Sequence, residues 1–300
     1  MSDWLPKSDA GRRWLGLAPT YIVIGIFMLV PVLIMAVFSF LEPNPYGGVK
    51  PVLSFDAYVK LAFEYDLEDN LVFNSGYLNI VWRSMQLSIG ATVLCLIFGF
   101  PVAYYITLQP ENKRNFYIYL VTIPFWTNLL IRTFAWIIIL GRGGVIETPL
   151  LWAGIIEDSL RMMYTDGAIA IGLTYSYLPL MVLPIYASLE KLDFRLVEAA
   201  SDLYANRWEV MAKVVIPLCK PGIIAGCILV FIPSIGAFIA PNLLGGGKKL
   251  MLGSLVQFQF ASARNWPFGS ALSMLLLAAV VVALIFYARS ASKRAAVEGA

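Results

Sequence analysis

Few side chains in this 300-residue chain are suited to covalent chemistry. It contains no histidine, so it lacks the side chain most used for proton transfer near neutral pH and the commonest metal ligand. Its three cysteines, Cys95, Cys219 and Cys227, lie in or beside apolar segments and are expected to pack as small hydrophobic residues. No glycine-rich phosphate-binding loop is present, so the chain is not expected to hydrolyse ATP by itself. The sequence therefore predicts no catalytic residues, no metal site and no cofactor in this chain.

Arg132 is an ionisable residue inside an apolar segment long enough to cross a membrane. A charged side chain is costly at the centre of a bilayer and normally faces protein or a water-filled cavity. Near the membrane surface, the same side chain can extend to the lipid headgroups at far lower cost. The sequence allows both a structural arginine at the membrane surface and an arginine beside a transport path. In either position, a guanidinium is a poor direct ligand for a cation.

Aromatic side chains cluster in or near the third, fourth and fifth apolar segments. Each ring could hold an amine or an alkyl chain, with cation–π attraction of about 0.5–2 kcal/mol, or could simply pack in the protein or at the membrane surface. The fifth segment is interrupted by Pro233, Gly236 and Pro241, and broken backbone at membrane depth is stable only against protein or a water-lined cavity. We therefore expect residues 231–242 to line a substrate path. The predicted path residues are Trp126, Arg132, Trp136, Tyr175, Tyr177, Phe231, Phe238 and Asn242.

The composition is that of an integral membrane protein. Hydrophobic residues make up 59% of the chain and charged residues 14%, against about 45–50% and 25% in soluble domains. The net charge of +3 is too small to indicate nucleic-acid binding. The predicted fold class is an all-α membrane protein with six transmembrane helices, each near the roughly 20 residues that cross about 30 Å of hydrocarbon. The predicted spans are residues 15–40, 85–108, 117–140, 168–189, 222–240 and 267–287.

Lysine and arginine residues are distributed unequally between the two sides of this predicted bundle. The side with both termini, the turn at Lys113 and the polar segment 190–217 carries thirteen of them, whereas the opposite side carries eight. Because cytoplasmic loops are enriched in basic residues, both termini are expected to be cytoplasmic. The predicted organisation is a cytoplasmic N-terminal segment (1–14), a transmembrane domain (15–288) and a cytoplasmic tail (289–300).

The polar segment 190–217 has helical patterning of its own. Apolar residues recur at steps of three and four, which predicts a first helix with a seam along one face. Asn206, followed three residues later by Glu209, predicts the N-cap and capping box of a second helix, which Pro217 would end. We expect a helical hairpin that is too polar to enter lipid and is shaped to contact something outside the membrane. The predicted seams are Leu196, Ala199, Ala200 and Leu203 in the first helix, and Trp208, Met211, Ala212 and Val215 in the second.

The hairpin also resembles a known motif. Glu198-Ala199-Ala200, followed at the right distance by Val214, Ile216 and Pro217, is similar to the EAA loop of permease subunits of type I ABC importers. In that family the loop forms the coupling helix that docks on a cytoplasmic ATPase. The resemblance assigns ATPase coupling to Arg195, Glu198, Ala199, Ala200, Asp202, Leu203, Tyr204 and Arg207.

The resemblance departs from the family pattern at one position. The family has glycine at the hairpin turn, where this chain has Tyr204. A turn with positive φ favours glycine, and nearby Asn206 is a residue that could adopt this conformation instead. The alternative to a coupling helix is an amphipathic helix pair beside the membrane with no partner.

Four further stretches resemble the spermidine/putrescine branch of these permeases: residues 124–136, 221–226, 243–246 and 265–269. The resemblance implies the type I ABC importer permease fold in a bacterial inner membrane. It also implies a second homologous permease subunit, two ATPase subunits that bind ATP and Mg²⁺, and a periplasmic substrate-binding protein as partners. The chain would then be a non-catalytic, lipid-embedded subunit that moves polyamines by alternating access.

Asn242 is a second departure from the family pattern. Polyamine permeases of this branch often have a carboxylate near this position, just before the Leu-Leu-Gly-Gly turn, and Ala237 is uncharged as well. Either the second permease supplies the carboxylate, or the cargo is another small organic solute such as an opine, an amino-acid derivative or another amine.

Two other classes of protein are alternatives to a permease subunit. An ion-coupled secondary transporter would need coordinating polar groups near the membrane midplane, and the predicted spans contain almost no acids. An intramembrane enzyme would need a nucleophile or a metal cluster in the spans.

Overall fold

The computed structural model describes residues 9–65, 70–156 and 162–298, and most of this part of the chain is helical. The first eight residues of the predicted N-terminal segment lie outside the described residues, as do the last two of the tail. The helices are α1 (Asp9–Phe38), α2 (Asp56–Val59), α3 (Gly76–Thr107), α4 (Glu111–Trp126), α5 (Leu129–Leu140), α6 (Glu147–Trp152), α7 (Asp166–Leu189), α8 (Arg195–Asp202), α9 (Arg207–Val210), a π-helical segment (Met211–Val215), α10 (Ile216–Leu218), α11 (Lys220–Ile235), α12 (Ile239–Leu244), α13 (Leu252–Ala261) and α14 (Trp266–Glu298).

Four helices in the described residues are long and apolar enough to cross a membrane by themselves. They span Leu17–Phe38, Gly76–Thr107, Asp166–Leu189 and Trp266–Ile285. Two bent pairs raise the total to as many as six: α4 with α5, at 90°, and Arg207–Leu218 with α11, at 71°. The prediction of a helical membrane fold is confirmed, but the third predicted span is a sharply broken pair of helices. The break falls at Thr127 and Asn128, and the Asn128 side chain caps α5 by accepting a hydrogen bond from the Leu130 amide at 2.8 Å.

The chain divides into two compact units, of which the first comprises residues 1–75 and 256–300. Within it, α1 packs against α14, and the Phe38 and Trp266 rings stack with their centroids 6.3 Å apart. Two antiparallel hairpins follow α1: β1 (Leu41–Pro43) pairs with β2 (Val49–Leu53), and β3 (Phe63–Tyr65) pairs with β4 (Leu71–Phe73). Both hairpins lie between the first two predicted spans, 15–40 and 85–108, where no regular structure was predicted.

The second unit, residues 76–255, is built on three helices that pack together, α3, α7 and α11. Its core is centred on Met181, Ile185 and Leu189 of α7. Gly226 of α11 lies close against α7, because a Cβ there would lie 2.7 Å from the Met181 sulfur and 3.2 Å from the Met181 carbonyl oxygen. Small residues at helix contacts are the usual means of packing membrane helices, since lipid gives no hydrophobic driving force between them. Cys95 and Cys219 are buried in the same core.

Other boundaries also differ from the sequence prediction. Helix α3 begins at Gly76 rather than at residue 85, and α7 begins at Asp166 rather than at residue 168. The segment 243–265, predicted as a loop, contains α13. The fifth predicted span ends as a continuous helix at Ile235, and the chain resumes as α12 at Ile239. Pro233 and Gly236 stand at this interruption, as expected from their lack of an amide donor and of a side chain, respectively.

Candidate functional site: a coupling hairpin and a cavity at a helix break

The polar hairpin turns through a residue with left-handed backbone. Tyr204 has φ of +61°, whereas Asn206 has φ of −73°. The suggestion that Asn206 takes the positive-φ role is therefore wrong. The Tyr204 amide donates to the Ser201 carbonyl at 3.0 Å, and the Ala205 amide donates to the Ala200 carbonyl at 3.2 Å. These two bonds form a Schellman motif with Tyr204 at the position that usually carries glycine. The tyrosine thus adopts at this turn the backbone conformation that glycine adopts most easily.

The second half of the hairpin begins with the capping box predicted from Asn206 and Glu209. Asn206 Oδ1 accepts the Glu209 amide at 2.9 Å, and Glu209 Oε2 accepts the Asn206 amide at 3.0 Å. Lys213 Nζ lies 3.1 Å from Glu209 Oε1. The backbone hydrogen bond from Asn206, and then the Lys213 ammonium, hold the pKa of Glu209 below its usual range. This prediction is confirmed.

Five of the eight predicted seam residues do not pack on the bundle core. The face packed on the bundle core runs through other residues, and three large apolar side chains point outward instead: Leu203 is 82% exposed, Tyr204 97% and Trp208 84%. The hairpin has apolar residues on both faces, so a periodicity count could not tell which face contacts its own bundle. Leu196, Ala199 and Ala212 are exposed as well, whereas Ala200, Met211 and Val215 do pack inward. The inward face also includes Leu192, Val197, Ala205 and Val210.

The predicted coupling residues lie together on the outer surface of this hairpin. Ala200 is half-buried against the bundle, and the other seven are exposed. Arg195 and Glu198 lie on α8, and Arg207 begins α9. A surface that combines exposed charges with Leu203, Tyr204 and Trp208 has the composition of a protein contact, because isolated soluble surfaces rarely expose large apolar residues side by side.

A cavity of about 150 Å³ lies where α11 breaks before α12. The Tyr177 hydroxyl of α7 donates to the Pro233 carbonyl at 3.3 Å, which satisfies a backbone group at the interrupted end of α11. No carboxylate stands among the lining residues. The lining residues are Leu129, Leu173, Ser176, Tyr177, Pro233, Gly236, Ala237, Phe238, Ile239 and Ala240.

Arg132 lies inside the protein beside this cavity, with 9% of its surface exposed. Its Nη1 lies 3.5 Å from the carbonyl of Ser176, a lining residue, and its guanidinium carbon is 5.9 Å from the centre of the Phe125 ring. Of the two readings of Arg132, this position corresponds to a side chain that faces protein rather than the headgroups. A guanidinium here gives the neighbourhood of the cavity a positive charge.

The structure brings only some of the predicted path residues together. Tyr177 and Phe238 line the cavity, and Arg132 adjoins it. Trp136 and Tyr175 pack edge to face with their ring centroids 5.6 Å apart, and neither lines the cavity.

The remaining three predicted path residues also lie away from the lining. Trp126 is exposed at the end of α4, Phe231 is half-buried on α11, and Asn242 is half-buried on α12. Sequence reasoning missed Leu173 and Ser176, whose spacing relative to Tyr177 places all three on one side of α7.

Comparison with known proteins is consistent with this architecture. Residues 114–295 match the model of the family described as "binding-protein-dependent transport system inner membrane component". The chain belongs to this family. The permease is 38% identical over 265 residues to the spermidine/putrescine transport system permease protein PotB of Escherichia coli K12, which covers 88% of this chain and 92% of the relative. It is 39% identical over 264 residues to PotB of Haemophilus influenzae, with 88% of each chain covered.

Solved transporters share the fold of the permease at low sequence identity. A chain of a bacterial ABC transporter that imports the acidic polysaccharide alginate superposes with a TM-score of 0.66 at 17% identity, over 95% of this chain and 97% of the other. A chain of the alginate transporter in complex with an alginate-bound periplasmic protein gives 0.66 at 18% identity, over 93% and 94%. The permease is thus a membrane-embedded transport component.

Proposed function

We propose that the permease is one of two homologous membrane subunits of an ATP-driven importer for polyamines, located in a bacterial inner membrane. Two separate ATPase subunits would bind ATP and Mg²⁺, and a periplasmic binding protein would deliver the cargo. The observation that supports this most directly is the hairpin, which offers Leu203, Tyr204 and Trp208 beside exposed charges on a polar element between two membrane helices. Similarity to the PotB permeases supports the cargo class.

The proposed mechanism is mechanical rather than chemical. Closure of the ATPase dimer would displace the hairpin, and α7 and α11, which flank it in sequence, would carry this displacement to the cavity at the α11–α12 break. Alternate opening of the cavity to the two sides of the membrane would then move the cargo. Within the proposed cycle this chain binds, orients and releases the cargo, and it makes or breaks no covalent bond.

Charge reversal in the hairpin tests the coupling role. The complete transporter is expressed in a strain without its own polyamine uptake. Glu198→Arg is expected to lower its uptake of labelled putrescine and spermidine at least about tenfold. The reason is that two like charges brought together in a buried interface cost more than about 1.4 kcal/mol. Glu111→Arg, at an exposed acid on the first turn of α4, is the matched control and should transport normally. Full uptake by Glu198→Arg, with the ATPase still attached, would contradict the proposal.

The lining of the cavity favours one alternative cargo. No carboxylate lines it, and Arg132 places a positive charge nearby, so a small organic solute with fewer amines is the second candidate. Calorimetric titration of the purified cognate binding protein with putrescine, spermidine, amino acids and opines distinguishes the two. Tight binding of a non-polyamine alone would replace the cargo assignment and leave the coupling role intact.

A further inference from the structure

A second, fully apolar groove opens sideways between α3 and α4. It has a volume of about 290 Å³. Spacings of one, four and five residues along α3, and of three and four along α4, place the lining side chains on the facing sides of the two helices. Because these segments lie in predicted membrane spans, what fills the groove comes from the bilayer or from another membrane protein. The lining residues are Pro101, Val102, Tyr105 and Ile106 of α3, and Tyr117, Leu120 and Val121 of α4.

One end of the groove carries a positive charge. The Tyr105 and Tyr117 rings meet edge to face there, with centroids 5.7 Å apart. Lys113, in the first turn of α4, lies four residues before Tyr117 and therefore on the same side of that helix. Lys113 is exposed, and in the part of the chain that the structure describes no carboxylate oxygen lies within 4.0 Å of its Nζ.

Neighbouring charges leave Lys113 available for an external anion. Arg114 donates from its Nε to the Gln109 carbonyl at 2.8 Å, so its guanidinium is held against the α3–α4 turn. Glu111 is exposed at the start of α4 and opposes the binding of an anion, but it forms no ion pair with Lys113 in the described structure. An apolar groove with a lysine at one end matches an amphipathic ligand that has an anionic head and an apolar chain.

We infer that this groove binds an acyl chain of an anionic phospholipid from the cytoplasmic leaflet, with the lipid phosphate paired to Lys113. The inference rests on the proposed function only for the side of the membrane on which the turn lies. Juxtamembrane lysines attract anionic headgroups, and an apolar groove that faces hydrocarbon is filled by lipid chains rather than by water. The groove lies against α4, which leads through the 90° bend to α5, so an acyl chain seated there contacts the helix pair that carries Arg132.

Native mass spectrometry of the complete, delipidated transporter tests this inference. Dioleoyl phosphatidylglycerol and dioleoyl phosphatidylcholine are added in competition, and the lipid retained on the permease is counted. The wild type is expected to retain about fivefold more phosphatidylglycerol than phosphatidylcholine, the ratio produced by about one lysine contact. Lys113→Glu should reduce the ratio to about one, and Glu111→Gln should raise it.

Filling the groove separates an acyl-chain site from simple charge attraction. Leu120→Trp, at an exposed lining position, should lower retention of both lipids, whereas Ile123→Trp, at an exposed non-lining position of the same helix, should not. Equal retention of the two lipids by the wild type, or normal retention by Leu120→Trp, would overturn the inference. So would a cross-link between Leu120→Cys and the second permease subunit, since that subunit would then occupy the groove. The measurement needs no cargo, so a failure of polyamine transport with normal lipid retention contradicts only the proposed function.

Discussion

Tyr204 shows how a single residue preserves a turn that its own chemistry disfavours. Left-handed backbone costs a non-glycine residue about 1–2 kcal/mol because Cβ approaches the following carbonyl oxygen. Two backbone hydrogen bonds from the Schellman motif offset this cost. The ring is left almost fully exposed, where it adds apolar area to the proposed ATPase contact. The residue therefore exchanges some stability of the turn for contact surface.

Substitution at this position gives an ordered series. Amide hydrogen exchange at residues 204 and 205 is expected to be about fivefold slower in Tyr204→Gly, which relieves about 1 kcal/mol, and faster in Tyr204→Val, because a β-branched residue tolerates this backbone least. Leu203→Val is the control, since Leu203 has φ of −83° and needs no special conformation. If Tyr204→Gly and Tyr204→Val exchanged at the same rate, the left-handed turn would not be present.

Glu209 gives the hairpin a pH dependence. Its pKa is lowered in the folded hairpin, so its contribution to stability is present above the pKa that a free glutamate would have. That contribution is lost as the pH falls through the lower pKa of the folded state. We expect the protection of the α9 amides, which is their exchange rate relative to the intrinsic rate at each pH, to fall in this acidic range in the wild type. In Glu209→Gln the protection should be lower at neutral pH and should change little on acidification; an unchanged acid response in this variant would assign the effect to another group.

At the scale of elements, the break between α11 and α12 creates the cavity. The volume of this cavity limits the size of the cargo that can pass through it. Ala237→Phe is expected to lower uptake at least about tenfold, because a phenyl ring would take up much of a cavity of about 150 Å³ and leave too little room for a solute. Leu229→Phe, on the exposed side of α11, is the control and should transport normally. Measurement of uptake beside ATPase activity in the same membranes separates a blocked path from a failed assembly. Normal uptake by Ala237→Phe would place the path elsewhere.

The turn after α12 is fastened to the start of α7. The Tyr164 amide donates to the Leu244 carbonyl at 2.9 Å, and Lys249 Nζ lies 2.8 Å from Asp166 Oδ2. Gly246 lies directly on the Tyr164 ring, where a Cβ would come within 2.4 Å of the ring. These contacts hold the wall of the cavity formed by α12 against α7.

Substitutions at two adjacent glycines in this turn distinguish steric crowding from backbone strain. Gly246 and Gly247 both have positive φ, at +62° and +69°, but a Cβ on Gly247 would meet nothing within 4 Å. Both alanine variants should lose about 1 kcal/mol from left-handed strain. Gly246→Ala should lose more because it also displaces the Tyr164 ring. Thermal unfolding of the purified transporter checks the order, and equal melting temperatures would mean that Tyr164 moves aside freely.

The local sequence predicted the features that depend on neighbouring residues. The Asn206–Glu209 capping box, the interruption at Pro233 and Gly236, and the polar hairpin could all be read from short stretches. Which side of the hairpin faces its own bundle could not, because Leu203 and Trp208 are as apolar as Val197 and Val210. Which residues line the cavity could not be predicted either, because Leu173, Ser176 and Ala237 come together only where α7 packs against the broken fifth span.

At the scale of the whole molecule, orientation is the property on which the proposed function depends. In a variant with Trp208→Cys, a membrane-impermeant maleimide should label this exposed position only from the cytoplasmic side. Tyr46→Cys, on the turn between β1 and β2, should be labelled only from the opposite side. Cys95 and Cys219 are buried, so they contribute little background. Labelling of Trp208→Cys from outside would exclude contact with a cytoplasmic ATPase.

The linker between the hairpin and α11 is very short. Only Cys219 separates α10 from α11, the chain bends there by 71°, and Cys219 is fully buried. Because this joint is buried, we expect a displacement of the hairpin at Trp208 to be passed on to α11. Helix α11 ends at Ile235, and its C-cap, Gly236, lies three residues beyond Pro233, to whose carbonyl the Tyr177 hydroxyl donates. Under the proposed coupling, lengthening the joint by one or two glycines should let ATP hydrolysis continue while cargo uptake is lost, which parallel ATPase and uptake assays would measure.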